Sequence, residues 1–264
     1  MIRITDIMCF LEDYAPSELA EDWDNTGLLI GRREAAVDRI LTCLTLTPDV
    51  ADEAVEQRIQ LVVSHHPVLF RGVKQITDGS SEGSMLLRLI EHGVAVYSPH
   101  TSFDSARAGI NRQLAERFGL TEIQPIRPHP ELQGLGSGRM GSLSEPVPLP
   151  QFLGQVRRAV RAEYLEFSGS STAVVSRVAV ACGAAADFLK DAMAQGCDTF
   201  VTGEARFHAA LEARAAGVSM VLLGHYSSER PAVEQLAAEL SAAFPALAVF
   251  ASRVEQDPLT VFTS

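Results

Sequence analysis

Sliding the chain along itself by 138 residues lays Arg39–Ser64 on Arg177–Thr202 without a gap. Arg39 meets Arg177, Asp49 meets Asp187, Ala54 meets Ala192, Gln57 meets Gln195 and Val63 meets Val201. A slide of 125 then brings His100 onto His225 and Asp104 onto Glu229. Each stretch reads as an apolar strand, an amphipathic helix and a second apolar strand. A chain that carries this unit twice is confined to the α/β class, as two interlinked, repeat-related lobes. Unrelated βαβ units share the same grammar, so the alignment fits both a duplication and two separately built units.

The lobes are expected over residues 1–120 and 151–264. Between them, residues 121–150 contain RPHPELQGLGSGRMGSLSEPVPLP, a composition of loops, a hairpin and a connection. The glycines Gly134, Gly136, Gly138 and Gly141 have neither the preceding strand nor the following helix of a dinucleotide loop, which favours the hairpin. The opening ITDIMCFLEDYAPSELAED reads as a helix, and WDNTGLLIG as a turn leading into a short strand. Trp23, Asp24 and Asn25 are expected to fix that turn against the core. LPQFLGQVRRAVRAE reads as a helix with Arg157, Arg158 and Arg161 on its solvated face. ALAVFAS and PLTVFTS read as closing strands of the second lobe.

Three apolar runs end in possible metal ligands. LVVSHHP delivers His65 and His66, and Pro67 biases His66 toward an extended backbone. VAVYSPH ends at His100 and SMVLLGH at His225, and a carboxylate follows each four residues later, Asp104 and Glu229. Open α/β sheets place their sites at the carboxyl ends of strands. Imidazoles and carboxylates suit borderline divalent ions, so the pattern predicts a metal centre with two ions, between the lobes at those strand ends. Simpler readings exist for each residue. The paired histidines could cap a strand, and Asp104 and Glu229 could offset helix dipoles. His100 fits a ligand, a partner that orients a ligand, or a proton carrier. Glu204 and His208, in TGEARFH, fit either the same cavity or a helix cap and a surface site. Arg71 and Lys74 fit either phosphate anchors or a solvated loop. Ser64 beside His65 is adjacency in sequence and not a catalytic triad.

A formal charge of −11 argues against a general nucleic-acid binder, because neutralising phosphates requires a basic surface. No apolar run approaches 18 residues and no basic leader precedes an apolar core, so neither membrane insertion nor secretion is expected. Cys9, Cys43, Cys182 and Cys197 stand singly, without C-x-x-C spacing, as structural thiols of a cytoplasmic protein would.

The motifs WDNTGLLIG, SHHP, PHTSFD, TGEARFH and GHYSSE, spread over residues 22–230, resemble the Nif-three-like family in kind and in order. Bacterial members of that family are named homologues of GTP cyclohydrolase I type 2. The resemblance implies interlinked α/β lobes, two divalent ions per chain (zinc, manganese, iron, nickel or magnesium) and a ring-shaped homohexamer. By position, His65 and His66 match the paired histidine ligands, Asp104 the carboxylate of the first half, and His225 the histidine of the last motif. Glu229 matches the carboxylate that touches both ions. His100 matches a histidine beside the site, for which a catalytic role is expected. TSFD stands where TNLD or a close relative is usual, so Ser102 replaces an amide and any substrate contact by that amide is in question. The implied activity is a dinuclear-metal-dependent hydrolase that opens the imidazole ring of a purine nucleotide by attack at C8. A phosphoester hydrolase and a metal-binding regulatory or interaction protein without turnover are the alternatives. Two divalent ions carry four positive charges against the two of Asp104 and Glu229, which suits a small anionic substrate such as a nucleotide.

Overall fold

The computed structural model describes residues 1–262. In chain order its first elements are α1 (Ile4–Tyr14), β1 (Gly27–Ile30), β2 (Arg39–Cys43), α2 (Pro48–Glu56), β3 (Leu61–Ser64), α3 (Ser81–Glu91), β4 (Ala95–Ser98), α4 (His100–Ser105) and α5 (Ile110–Arg117). There follow β5 (Thr121–Gln124), β6 (Arg127–Pro128), β7 (Gly136–Ser137), β8 (Arg139–Pro148), α6 (Leu149–Ala159), β9 (Glu166–Ser168) and β10 (Val174–Ala181). The chain closes with α7 (Leu189–Ala194), β11 (Thr199–Thr202), α8 (Phe207–Ala215), β12 (Ser219–Leu222), α9 (His225–Ala243) and β13 (Ala248–Ala251). Two compact units form: Met1–Phe103 with Ala232–Gln256, and Asp104–Pro231 with the residues from Asp257 on.

The first unit holds a sheet of order β1-β4-β3-β2-β13, in which β13, β2, β3 and β4 run parallel and β1 is an antiparallel edge. Every residue of β3 is buried, as expected of a parallel strand with helices on both faces. α2 starts where Thr47 accepts a hydrogen bond from the Val50 amide and Pro48 fills the first helical position. It buries Val50, Ala51 and Ala54 against Leu41, Val62, Leu89 and Val96. Each fully buried valine or leucine among them stabilises by about 1.5–3 kcal/mol, so the parallel strands cannot shift without exposing several at once. The C-terminal segment ties down the end of β2: the Glu255 carboxylate accepts from the amides of Leu44 and Thr45 at 2.9 and 2.6 Å.

The second unit holds a sheet of order β5-β8-β10-β11-β12-β9, with β10, β11 and β12 parallel and both β8 and β9 antiparallel. Its core gathers Ala179, Leu189, Phe200, Ala213 and Met220. Arg139 is 2% exposed, and its guanidinium donates to the carbonyls of Gly136, Gly138, Ser105 and Ala106 at 2.6–2.8 Å. The bonds to Ser105 and Ala106 satisfy carbonyls at the end of α4 that have no partner within the helix.

The slide of 138 residues carries one strand pairing onto the other. Ile40 to Cys43 pair with Leu61 to Ser64, and Val178 to Ala181 pair with Thr199 to Thr202, position for position. The next strand is displaced by one residue relative to the slide of 125, since Leu61 pairs with Ala95 whereas Thr199 pairs with Ser219.

Several expectations differ from this architecture. The first unit ends at Phe103, not at residue 120, and the chain returns to it from Ala232. β13, which is the ALAVFAS segment, pairs with β2 and so belongs to the first unit. Residues 121–150 are more than a connector, because they supply β5 and β8 to the second sheet along with the β6–β7 hairpin. Residues 258–262 of PLTVFTS form no strand, and 263–264 lie outside the described residues. Trp23 is not packed into the core but 60% exposed. Hydrophobic pattern identifies a strand, but the sheet it joins depends on long-range pairing that no local window contains.

Candidate metal centre

In the first unit the candidate ligands arise where parallel strands stop. His65 and His66 follow β3 directly, and their amides donate to the carbonyls of Cys43 and Leu44 at 2.9 and 2.8 Å, extending the β2–β3 pairing past the strand. Two serine hydroxyls then hold the histidine backbones: Ser98 Oγ donates to the His65 carbonyl at 2.7 Å and Ser64 Oγ to that of His66 at 2.8 Å. His66 Nδ1 lies 2.8 Å from Thr45 Oγ1. His100 opens α4 with φ +31°, in the left-handed region where a side chain is strained. Side-chain nitrogens of His65, His66 and His100 lie within 4.8 Å of one another, a group that could hold a metal ion.

Asp24, which sequence reasoning assigned to a turn, determines the orientation of His100. Its side chain is fully buried, with Oδ1 2.6 Å from His100 Nδ1. The Thr101 amide and hydroxyl donate to Oδ2 at 3.1 and 2.5 Å, and the Asn25 amide donates to Oδ1 at 2.7 Å. Burial alone pushes the carboxyl up, but the hydrogen bonds from His100, Thr101 and Asn25, with the His100 charge, outweigh it and hold Asp24 at about 2. A carboxylate on Nδ1 leaves Nε2 as the nitrogen available to a ligand, the arrangement common behind metal-bound histidines. Because the folded pKa is depressed, this contact stabilises above about pH 4 and is lost as pH falls toward 2. Asp24→Asn should therefore lower the unfolding free energy at pH 7 by about 1–2 kcal/mol in urea titration. An unchanged midpoint would mean that the pair carries no net stability.

In the second unit, His225 opens α9 three residues after β12, and Glu229 follows one helical turn later. His225 Nε2 is 3.1 Å from Glu229 Oε2, and its Nδ1 is 3.1 Å from Glu204 Oε1. Glu204 thus pairs with His225 as Asp24 does with His100 in the first unit, while the His208 ring lies against that of Phe207. The hydrogen bond to Glu229, helped by the charges of Glu229 and Glu204 and opposed by burial, lifts His225 to about 9. Glu229 is only 3% exposed.

Asp104 approaches the same place through Cys182. The Cys182 thiol donates to Asp104 Oδ1 at 3.1 Å, and burial with the nearby Asp104 and Glu229 carboxylates pushes that thiol well above its usual range. Asn111 locks the arrangement, accepting from the Cys182 amide at 2.7 Å while donating to the Asp104 carbonyl at 3.1 Å. Gly183 has φ +64°, and a Cβ there would come 2.4 Å from Glu229 Oε1 and 3.5 Å from His225 Nε2. Cys182, expected to be an ordinary core thiol, is buried and also touches Asp104, one of the candidate ligands. Cys9 is exposed, and Cys43, Cys182 and Cys197 are buried.

Arg71 and Lys74 are exposed in the loop after the paired histidines. Ser102, at the position of the missing amide, is buried and donates to the carbonyls of Ala15 and Pro99, so it is turned into the fold. Among the described residues no helix is long and apolar enough to cross a membrane.

Comparison with known proteins places these features in a family. Residues 2–258 match the family model described as Duf34/NIF3 (NGG1p interacting factor 3). A Clostridium acetobutylicum protein named GTP cyclohydrolase 1 type 2 homolog is 30% identical over 243 residues, 92% of this chain and 91% of that protein. NIF3-like protein 1 of Drosophila melanogaster is 30% identical over 270 residues, covering 99% of this chain and 90% of its own. Among solved structures, Staphylococcus aureus protein SA1388 superposes with a TM-score of 0.89 at 27% identity, covering 99% of both chains. With the mixed α/β architecture and the histidine and glutamate groups at its strand ends, the chain belongs to the Duf34/NIF3 family.

Proposed function

We propose that the chain is a metal-dependent hydrolase of nucleotides whose histidines and carboxylates hold a pair of divalent ions. The observation that carries this reading is the convergence of three imidazoles at the ends of β3 and β4. The donor set fits such ions: His65, His66 and His225 offer borderline nitrogen, and Asp104 and Glu229 offer charged oxygen. Zinc, manganese, iron, nickel and magnesium are the ions to test. Such ions, when bound, supply Lewis acidity that lowers the pKa of water and polarises a carbonyl, imine or phosphoryl oxygen. His100, with Nδ1 held by Asp24, presents Nε2 to give or take a proton at the reacting atom. Asp104 is oriented by the Cys182 thiol and His225 by Glu204. Relatives named GTP cyclohydrolase 1 type 2 homolog support GTP as the first substrate to assay. Opening of GTP, or release from a phosphoester panel, by manganese- or zinc-loaded protein is the expected result, and no turnover by any loaded form would defeat it.

The family description, an interacting factor, favours a second reading: a metal-dependent binding protein without turnover. Full metal occupancy, no turnover and one stoichiometric partner would select that reading. We also propose a homohexamer in the cytoplasm; light scattering that gives the mass of a single chain would refute the hexamer.

Metal uptake should depend on pH with a definite sign. In the metal-free chain His225 is raised to about 9 from 6.5, so its stabilising contact is complete below pH 6.5 and is lost as pH rises through 9. Metal requires the neutral imidazole, so affinity should rise by up to about tenfold per pH unit across the same interval. Calorimetric titration with zinc in several buffers should show about one proton released per chain near pH 7.5. A pH-independent affinity would mean that His225 is not a ligand.

A further inference from the structure

Beside His100 in the first unit, Trp23 and Phe70 are 60% and 47% exposed. Their rings sit edge to face, 5.8 Å apart at 66°. Each also meets the His100 ring edge on, Trp23 at 6.0 Å and 75°, Phe70 at 6.1 Å and 88°. The two aromatics stand on anchored backbone. Asn25 Nδ2 donates to the Leu69 carbonyl at 2.6 Å, which joins the two loops, and the neighbouring Asp24 is buried against His100 and Thr101. Large aromatic faces left in water beside a cluster of imidazoles are an ordered wall and not part of the core.

We propose that Trp23 and Phe70 form the wall of a binding subsite for a planar nitrogen heteroaromatic ring, whose polar edge turns toward His100 and His66. The chemistry of the two sides selects this class. The wall offers π faces and edges, while the adjoining imidazoles, with ring centroids 5.0–5.7 Å apart among His65, His66 and His100, offer polar edges. An aliphatic chain answers only the first and an inorganic phosphate only the second. A heteroaromatic ring such as a purine or pyridine answers both, stacking on one side and hydrogen bonding on the other. The edge contact rests on the metal-site reading of the histidines; the wall does not.

The chain has one tryptophan, so its emission reports on Trp23 alone. Guanosine, adenosine, nicotinamide and inorganic triphosphate are titrated into the full chain, metal-free and zinc-loaded, with fluorescence and calorimetry read together. At least one of the three heteroaromatics should quench Trp23. Phe70→Ala should weaken that ligand about tenfold or more, leaving zinc content and triphosphate affinity unchanged. Equal affinity in Phe70→Ala and the parent overturns the proposal, as does failure of all three heteroaromatics to bind. Shielding of Trp23 from acrylamide in the ligand-free protein also overturns it, because a second copy of the chain would then cover the wall. Zinc content separates the two readings. Heteroaromatic binding without zinc uptake defeats the metal site and keeps the wall, whereas zinc uptake without heteroaromatic binding defeats the wall alone.

Discussion

Glu229→Gln abolishes most metal binding, with an expected loss in affinity of about 100-fold or more, read as ions per chain by elemental analysis after dialysis. Glutamine keeps the shape but removes the charge, and an amide is a poor ligand for a divalent ion whose other donors are mostly neutral imidazoles. Glu229 is almost wholly buried, so neither solvent nor a rotated side chain can replace the missing carboxylate. His100→Ala removes a group whose Nδ1 is already engaged by Asp24 and should lose far less metal. Equal losses would mean that the two roles are misassigned. Glu229→Gln also removes the largest cause of the elevated His225 pKa, so in the metal-free chain that pKa should fall by a clear margin, measurable by NMR titration. A change in the circular dichroism spectrum would mark misfolding and separate it from loss of a ligand.

Gly183→Ala should destabilise the chain by about 3 kcal/mol, combining left-handed backbone strain with overpacking. The added methyl would meet Glu229 Oε1 at 2.4 Å, and that side chain, 3% exposed, has little room to yield. The Gly183 amide donates to Ser228 Oγ at 3.0 Å, and its carbonyl accepts from the Glu204 amide at 2.9 Å. Either the backbone shifts, breaking those bonds, or Glu229 leaves its place. Urea unfolding and zinc titration together decide which. Gly196→Ala is the control, because φ +75° imposes similar strain while the new Cβ meets nothing within 4 Å. If both variants lose the same stability and both keep their metal, the close approach to Glu229 is unimportant.

How the site could be read from sequence depended on how each residue reaches it. His65, His66, His100 and His225 stand at the ends of apolar runs, and a buried parallel strand aims whatever follows it at the carboxyl edge of its sheet. Asp104 and Glu229 were legible for a local reason too, since each lies four residues past a histidine, about one helical turn. Cys182, Gly183 and Glu204 also follow buried parallel strands, β10 and β11, and Glu204 was among the residues that fit the cavity, whereas Asp24, in a turn, gave no such signal. Asp24 reaches His100 across 76 residues and Cys182 reaches Asp104 across 78.

The sequence by itself determined the α/β class, the strand and helix units, and the histidines and carboxylates that close them. Hydrophobic period and chain stiffness act over a few residues, so a short window contains their whole cause. Only the tertiary structure decided that β13 returns to pair with β2, that β5 and β8 complete the second sheet, and that Trp23 faces water instead of the core. It also decided which groups fix the protonation and orientation of His100 and His225. Those outcomes arise from contacts between distant segments, whose strength depends on burial and ångström-scale distance and is therefore set only once the chain has folded.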